Sequence, residues 1–272
     1  MTTQRNKLKG STNATEPMRT IAFYSFKGGV GRSLALANMA YIFCQQFEKK
    51  VGLVDLDVES PGLHHILEMK IPIGTDLTAF LLPENRKIVQ LGHYVHAVSA
   101  FRSGGAKAFL VPSTSNVQTL QQIKWDTSIE SFLRQQLFPN FGRVYDLNYL
   151  LIDGRTGLSR FSAVAIMQAD LVLLFARLDQ QNEYGIGRMV KVCKEAGKPF
   201  LLVVSSCPTI KGYTKAIAGF EKRVKSQVHC VLPYLPDLYF KEFIVTQSAP
   251  KSSLSKGYQN LAELITAFEY DK

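Results

Sequence analysis

Short apolar runs alternate with longer stretches of mixed hydrophobic and polar residues along most of this chain. Runs rich in Val, Ile, Leu and Phe predict buried β-strands. We expect such strands at about 20–26, 51–57, 147–153, 170–178, 198–208 and 228–236. The stretches between them place apolar residues three and four positions apart, which is typical of helices packed against a sheet. This alternation predicts an α/β fold with a single doubly wound, mostly parallel sheet flanked by helices.

The predicted helices differ in how much of their surface is apolar. The helix at 33–47 is apolar on most sides and is expected to be buried. One helical segment is predicted over 116–138, where Trp125 is expected to pack rather than to recognise a ligand. Further helices are expected at 183–197, 214–227 and 255–272. Two strands are predicted around a turn at RSGG, residues 102–105.

Composition and charge limit the possible classes of protein. The chain has 272 residues, of which 46% are hydrophobic and 20% charged, and this suits one α/β core at 20–272 behind a flexible basic tail at 1–19. The net charge of +10 points to anionic partners such as nucleic acid, acidic lipid or nucleotide. The sequence has neither a run of the roughly 18 apolar residues that a membrane span needs nor a CxxC pair. We therefore expect a cytoplasmic protein with reduced cysteines.

The stretch FKGGVGRS at 26–33 joins the first predicted strand to the first predicted helix. Its glycines permit the backbone conformations that turn N–H groups inward around phosphate oxygens. The N-terminus of the following helix adds partial positive charge. This context predicts a phosphate-binding loop.

The side chains of this loop suit a nucleoside triphosphate with Mg²⁺. Lys27 and Arg32 bring two cations to one small site, and the Ser33 hydroxyl is placed to hold Mg²⁺. The loop departs from the usual pattern GxxxxGK[ST] at Phe26, which replaces the first glycine, and at Arg32, which replaces the lysine. Arginine keeps the charge but is longer and planar, so we expect nucleotide binding to survive and hydrolysis to be slow.

Two predicted strands end in carboxylates. VGLVDLD at 51–57 ends with Asp55 and Asp57, and LNYLLID at 147–153 ends with Asp153. Open α/β sheets place their chemistry at the carboxyl ends of their strands, so these side chains are expected near the loop. Asp153 follows the pattern of a strand that delivers a carboxylate to Mg²⁺ opposite Ser33.

These stretches resemble the ParA/MinD family of P-loop ATPases, whose loop reads KGGVGK[ST] and whose second motif reads VDxDxxxPG. The variants KGGVGR and DGRTGLS look like a distinct branch of that family. The resemblance implies that Lys27 reaches phosphates of the partner subunit in an ATP-sandwiched homodimer. It also implies that Asp57 orients the attacking water and that Asp55 supports Mg²⁺ through water. The implied nucleotide contacts are Lys27, Gly28, Gly29, Val30, Gly31, Arg32, Ser33 and Leu34.

Two parts of the implied site stay open. Arg155 could contact phosphate, contact the partner subunit, or form a salt bridge with Asp57 or Glu59. In the family, the end of the strand at 198–208 and a later loop help to hold the base, and Ser206, Pro208 and Pro233 occupy plausible positions here. The common family asparagine is missing, so both ATP and GTP remain candidates.

Basic residues cluster in or beside the helix predicted at 214–227, namely Lys211, Lys215, Lys222, Arg223 and Lys225. This cluster could be a solvated helix face, a site for an acidic protein, or a surface for non-specific DNA contacts like those of ParA-like proteins. The chain end ITAFEYDK is short and acidic, which argues against a membrane-binding helix. Two functions are consistent with the resemblance. One is an ATPase switch that positions DNA or regulates a protein partner, and the other is a nucleotide-binding accessory subunit of a multi-protein system, for example in defence, with little turnover.

Overall fold

One eight-stranded sheet organises the computed structural model, which describes residues 17–101, 107–123, 125–208 and 212–268. The strands are β1 (Arg19–Ser25), β2 (Val51–Asp55), β3 (His96–Ala97), β4 (Ala108–Val111), β5 (Tyr149–Asp153), β6 (Leu171–Ala176), β7 (Phe200–Cys207) and β8 (Cys230–Pro233). Their order across the sheet is β3-β4-β2-β5-β1-β6-β7-β8. Neighbours are parallel except β3 with β4, which confirms the predicted mostly parallel, doubly wound α/β sheet.

Helices connect the strands and cover both faces of the sheet. They are α1 (Arg32–Gln45), α2 (Leu63–Ile66), α3 (Leu77–Phe80), α4 (Leu91–Tyr94), α5 (Val117–Gln122), α6 (Thr127–Ser131), α7 (Phe138–Tyr145), α8 (Arg160–Gln168), α9 (Gln180–Glu195), α10 (Tyr213–Val224), α11 (Val245–Ser248) and α12 (Ser253–Ala267). Short 3-10 helices lie at Ile88–Gln90 and Pro236–Tyr239, and Phe132–Leu137 is π-helical. Within the described ranges, every helix is too short or too polar to cross a membrane.

The sheet separates two hydrophobic cores. Phe23 of β1 packs with Phe43 of α1 and the apolar face of α12 on one side. Tyr24, the next residue, belongs to the other core together with Ile186 of α9 and Phe220 of α10. Successive side chains of a strand point to opposite faces, so a strand between two helical layers is apolar at every position. This explains the continuous apolar runs of the sequence.

The helical segment predicted over 116–138 is divided into three pieces. α5 ends at Gln122, and Asp126 then starts α6 by accepting hydrogen bonds from the N–H groups of Ser128 and Ile129. A carboxylate at this position begins a new helix because it satisfies N–H groups that otherwise have no partner. Trp125 lies between the two helices and packs edge-to-face on Phe161 of α8, with ring centroids 4.1 Å apart.

Some predictions concern residues outside the described ranges. These are the tail over 1–16, the turn at 102–106, Lys211 and the chain end at 269–272. Within the described part, Arg19 is already the first residue of β1, although the sequence pattern assigned it to the tail. Met18 packs against Gly142 of α7, so Met18 and Arg19 both belong to the folded domain.

Candidate nucleotide-binding site

The loop between β1 and α1 presents its backbone to a ligand. Gly29 and Gly31 have φ of 71° and 73°, in the left-handed region that favours glycine. In the described part of the chain, no atom lies within 4 Å of the Cβ that a side chain at Gly28, Gly29 or Gly31 would add. Gly31 is the N-cap of α1, and this end of the helix has neither a side-chain cap nor an acidic residue in its first turn. The first N–H groups of α1 and the positive end of its dipole are therefore available to an anion.

A cavity of about 310 Å³ lies over this loop. Its walls come from the loop and the start of α1, from the segments that follow β2 and β5, and from Glu242 after β8. Predicted contacts among the lining residues are Gly28, Gly29, Val30, Gly31, Arg32, Ser33, Leu34, Asp57 and Arg155. The structure thus brings most of the predicted site together around one cavity.

Arg32, at the usual lysine position, is buried at the base of the cavity and is held there by three hydrogen bonds. Its Nε donates to Oδ1 of Asp153 at 2.5 Å, and its Nη2 donates to Oδ2 of Asp57 at 3.2 Å. Its Nη1 donates to Oγ of Ser25, also at 3.2 Å. Burial opposes the charge of Arg32, but Asp153 and Asp57 more than offset this and raise the pKa of Arg32. The guanidinium therefore stays charged and neutralises part of an acidic cluster.

Three carboxylates meet below the loop. Asp55 and Asp153 lie side by side at the ends of β2 and β5, and Asp57 follows two residues after Asp55. Asp55 accepts hydrogen bonds from the N–H groups of Asp57 at 3.0 Å and Leu63 at 3.4 Å. Burial raises the pKa of both Asp55 and Asp153, and the charge of Asp153 raises the pKa of Asp55 further. These two groups hold a proton more readily than exposed carboxylates do.

One oxygen of Asp153 is suited to the shell of a metal ion. Oδ1 accepts from Arg32, whereas Oδ2 is buried and has no hydrogen-bond partner of ordinary geometry among the described residues. The Ser33 hydroxyl is close enough to Asp153 to lower the pKa of that carboxyl. A hydroxyl beside a free carboxylate oxygen fits Mg²⁺, which takes few protein ligands and completes its shell with phosphates and water. The described residues contain no group of three or more His, Cys, Asp or Glu side chains arranged to hold a metal.

Two predicted cations lie at the edge of the site. Arg155 lines the cavity and forms a salt bridge with Glu59, one of the three interpretations that the sequence left open. Lys27 is exposed and lies outside the cavity lining.

The residues predicted to hold the base are not part of this cavity. Ser206, Pro208 and Pro233 lie near the ends of β7 and β8, where the strand register shifts and Ser206 adopts a φ of 51°. Ser205 reaches the loop instead, because its Oγ donates to the carbonyl of Val30 at 2.5 Å. Glu242, in the loop after β8, lines the cavity.

Neither Ser205 nor Glu242 could be identified from motifs or spacing in the sequence. The contact of Ser205 depends on the strand register at the end of β7, and that of Glu242 depends on the long-range path of the loop after β8.

Phe26 explains how the loop tolerates the loss of its first glycine. Gly185 of α9 is buried, and a Cβ at that position would lie 2.0 Å from ring atoms of Phe26. The ring therefore occupies space that any side chain at position 185 would fill. Phe26 is partly buried against the core on this face, so packing on α9 fixes the start of the loop. Sequence spacing could not indicate this contact, because it joins distant parts of the chain.

A family model described as AAA domain matches residues 18–200, which is more than half of the chain. The chain belongs to this AAA domain family. The iron-sulfur cluster carrier protein of Rickettsia prowazekii (strain Madrid E) is 26% identical over 192 residues, 69% of this chain and 53% of that protein. The chain thus spans about half the length of the curated relatives it matches. The four cysteines of the chain, Cys44, Cys193, Cys207 and Cys230, are buried and form no disulfide.

Solved structures share the fold of this AAA domain. The septum site-determining protein MinD from Pyrococcus horikoshii OT3, complexed with Mg-ADP, has a TM-score of 0.73 and 17% identity, covering 92% of this chain and 97% of that one. The ParA family ATPase from Chlorobium tepidum TLS has a TM-score of 0.71 and 20% identity, covering 91% of this chain and 99% of that one. The P-loop NTPase fold and the ParA/MinD resemblance are confirmed.

Proposed function

We propose that this chain binds a nucleoside triphosphate with Mg²⁺ and hydrolyses it slowly, as a switch that controls dimerisation. The observation that carries the proposal is an uncapped helix N-terminus with left-handed glycines, which opens onto a cavity with three carboxylates below it. MinD of P. horikoshii has the same fold and is complexed with Mg-ADP, which supports the choice of ligand. When bound, Mg²⁺ neutralises phosphate charge and holds the phosphates in position.

Each predicted residue has a role in this proposal. The backbone of residues 28–34 binds the phosphates, while Ser33 and Asp153 support the metal shell, aided by Asp55 through water. Asp57 orients the attacking water. Lys27 reaches the phosphates held by a second copy of the chain, which its exposure permits. Ser206, Pro208 and Pro233 remain the candidates for contact with the base.

Asp57→Ala is expected to prolong a nucleotide-dependent dimer. Without the water-orienting carboxylate, ATP that holds two subunits together is not cleaved, so the dimer dissociates more slowly. Light scattering with ATP and Mg²⁺ measures the mass of the parent and of the variant over time. A monomer in every condition would remove the role proposed for Lys27 and favour the accessory-subunit function.

That second function, a nucleotide-binding accessory subunit with little turnover, is favoured by one observation. Asp57, the proposed water-orienting residue, is paired with Arg32 instead of being free. Steady-state ATP hydrolysis, measured with and without DNA, separates the two functions. Turnover that rises with DNA supports the switch, whereas nucleotide binding without turnover in either condition supports the accessory subunit.

The basic face of α10 supports a proposal of non-specific DNA binding. Lys215, Lys222 and Lys225 are exposed on or beside this helix, while its apolar side packs through Phe220 into the core. Arg223 is also exposed, although it pairs with Glu183 at 2.6 Å. Phosphate contacts need charge rather than base recognition, so such binding is sensitive to salt.

Reversal of charge at Lys222 and Arg223 to Glu is expected to weaken binding of duplex DNA at least about tenfold at low salt. The matched control reverses Lys251 and Lys256, which are also exposed but lie near the start of α12 on the opposite face of the sheet. The net charge changes equally in both variants. Fluorescence anisotropy with a labelled duplex measures the affinities. Equal affinities of the two variants would show that α10 is not the DNA surface.

A further inference from the structure

We infer that Arg32 is a positioning residue that keeps Asp57 paired until a triphosphate takes over its guanidinium. This inference rests on the proposed nucleotide function and concerns the order of events inside the same site. The lysine of the usual loop is a compact ammonium on a flexible stem, whereas the planar fork of Arg32 holds its donors in a fixed geometry and contacts Asp153, Asp57 and Ser25 together. Arginine at this position therefore gives the site a property that a lysine loop lacks.

Arg32 has donors left for a ligand even while it is held in place. A guanidinium carries five N–H groups, and Asp153, Asp57 and Ser25 use three of them. Arg32 also lines the nucleotide cavity. A phosphate that enters the cavity thus meets a cation fixed on three sides, with two N–H groups still available.

Asp57 has no carboxylate oxygen without a partner. Oδ1 accepts from the N–H of Ser60 at 3.3 Å, and Oδ2 accepts from Arg32 at 3.2 Å. A carboxylate that orients an attacking water needs an oxygen directed at that water. A carboxylate oxygen can accept two hydrogen bonds, but one that is paired with a guanidinium is a weaker acceptor for water, so release of Arg32 strengthens the contact of Asp57 with the attacking water.

A terminal phosphate is a strong competitor for Arg32, because it offers several charged oxygens to the same fork. When the guanidinium turns towards the phosphate, Oδ2 of Asp57 becomes free to accept from water. In this inference the two unused N–H groups contact the phosphate first, and the turn of the guanidinium that follows breaks its contact with Asp57. The pair therefore weakens nucleotide affinity and restrains hydrolysis at the same time.

A double-mutant cycle on equilibrium binding tests this pair directly. Isothermal titration calorimetry gives the Kd of a non-hydrolysable ATP analogue with Mg²⁺ for the parent, Asp57→Ala, Arg32→Lys and the double variant. Asp57→Ala is expected to tighten binding about tenfold when residue 32 is Arg and less than about threefold when it is Lys. Lysine keeps the positive charge, so the general repulsion between Asp57 and phosphate is present in both backgrounds.

Equal effects of Asp57→Ala in the two backgrounds overturn the inference. Absence of binding by the parent, in contrast, counts against the nucleotide function itself. Turnover adds a second readout, because Arg32→Lys is expected to raise kcat at least about fivefold at saturating ATP. An unchanged or lower kcat overturns the restraining role, and much weaker nucleotide binding by Arg32→Lys would show that the loop is tuned for arginine.

Ser25→Ala provides a variant that keeps every charge of the cluster. It removes only the acceptor of the Arg32 Nη1 group, so the guanidinium is held less firmly. We expect kcat to rise in this variant too, by about twofold, with the fold verified by circular dichroism. No rise in a folded Ser25→Ala protein contradicts the inference independently of Arg32→Lys.

Discussion

Arg32→Met is expected to destabilise the fold by about 3–5 kcal/mol at neutral pH. Arg32 is buried with Asp57 and Asp153, whose side chains are only 11% and 1% exposed. Methionine fills much of the same volume but leaves both carboxylates in a buried place without their counter-charge. Urea unfolding followed by circular dichroism measures the lost free energy.

This loss of stability is expected to shrink as the pH falls below neutral. Burial raises the pKa of Asp55 and Asp153 in the folded chain. A carboxyl whose pKa is higher in the folded than in the unfolded state favours folding at low pH, and this contribution is lost as the pH rises through the folded pKa. The charge of Arg32 lowers the pKa values of both Asp55 and Asp153, and the variant lacks this charge. The free energy of unfolding of the variant therefore changes more steeply with pH than that of the parent.

Arg155→Met is the matched control for this experiment. Arg155 also lines the cavity and pairs with a carboxylate, but its side chain is 30% exposed and that of Glu59 is 56% exposed. Water screens such a pair, so the expected loss is at most about 1 kcal/mol. Similar losses for the two variants would show that the buried cluster does not depend on Arg32 for its charge balance.

Gly185→Ala is expected to weaken ATP binding about five- to a hundredfold, as measured by calorimetry with Mg²⁺. The new Cβ would lie 2.0 Å from ring atoms of Phe26, a distance that forces the ring to move. Phe26 is the first residue of the phosphate loop, so its displacement disturbs the N–H groups that surround the phosphates. Overpacking of a closely packed site has an energetic cost of about 1–3 kcal/mol, which corresponds to this range of affinity.

Gly187→Ala on the same helix is the control for Gly185→Ala. Its Cβ would meet only Cα of Val224 at 3.8 Å, an ordinary contact. Alanine also favours a helix interior over glycine by up to about 1 kcal/mol, so this variant is expected to be slightly more stable and to bind ATP normally. Normal ATP binding by Gly185→Ala as well would mean that the packing of Phe26 does not set the loop geometry.

Local pattern was enough to predict the sheet and several residues that meet at the candidate site. The loop at 26–33 and the carboxylates Asp55 and Asp153 each follow directly from a short apolar strand. Parallel strands bring their carboxyl ends to one edge of the sheet. Residues at those ends therefore lie close together even when many residues separate them in sequence. These features could be read from sequence because each depends on a few neighbouring residues and on a general rule of topology.

The rest depends on contacts that sequence spacing does not encode. Arg32 contacts Asp57 and Asp153 because of the way side chains pack below the loop. The sequence pattern indicated only that Arg32 would face phosphate. Ser205, not Ser206, reaches the loop because of the strand register near the end of β7. The segment at 116–138 kept its helical spacing on both sides of Asp126, so periodicity could not show that this carboxylate caps a new helix.

The contact of Trp125 with Phe161 makes Trp125 an intrinsic fluorescence probe of this region. Trp125 is the only tryptophan, so all indole emission comes from one place. Its partner ring lies at the start of α8, directly after the loop that carries Arg155, and the backbone carbonyl of Trp125 accepts from Arg160 at 3.2 Å. The same indole lines a cavity of about 400 Å³ that shares Glu59 and Arg155 with the nucleotide cavity. A movement of the loop that carries Arg155 therefore changes the surroundings of a single fluorophore. The rate of that movement can be measured by stopped-flow fluorescence of Trp125, without an added label.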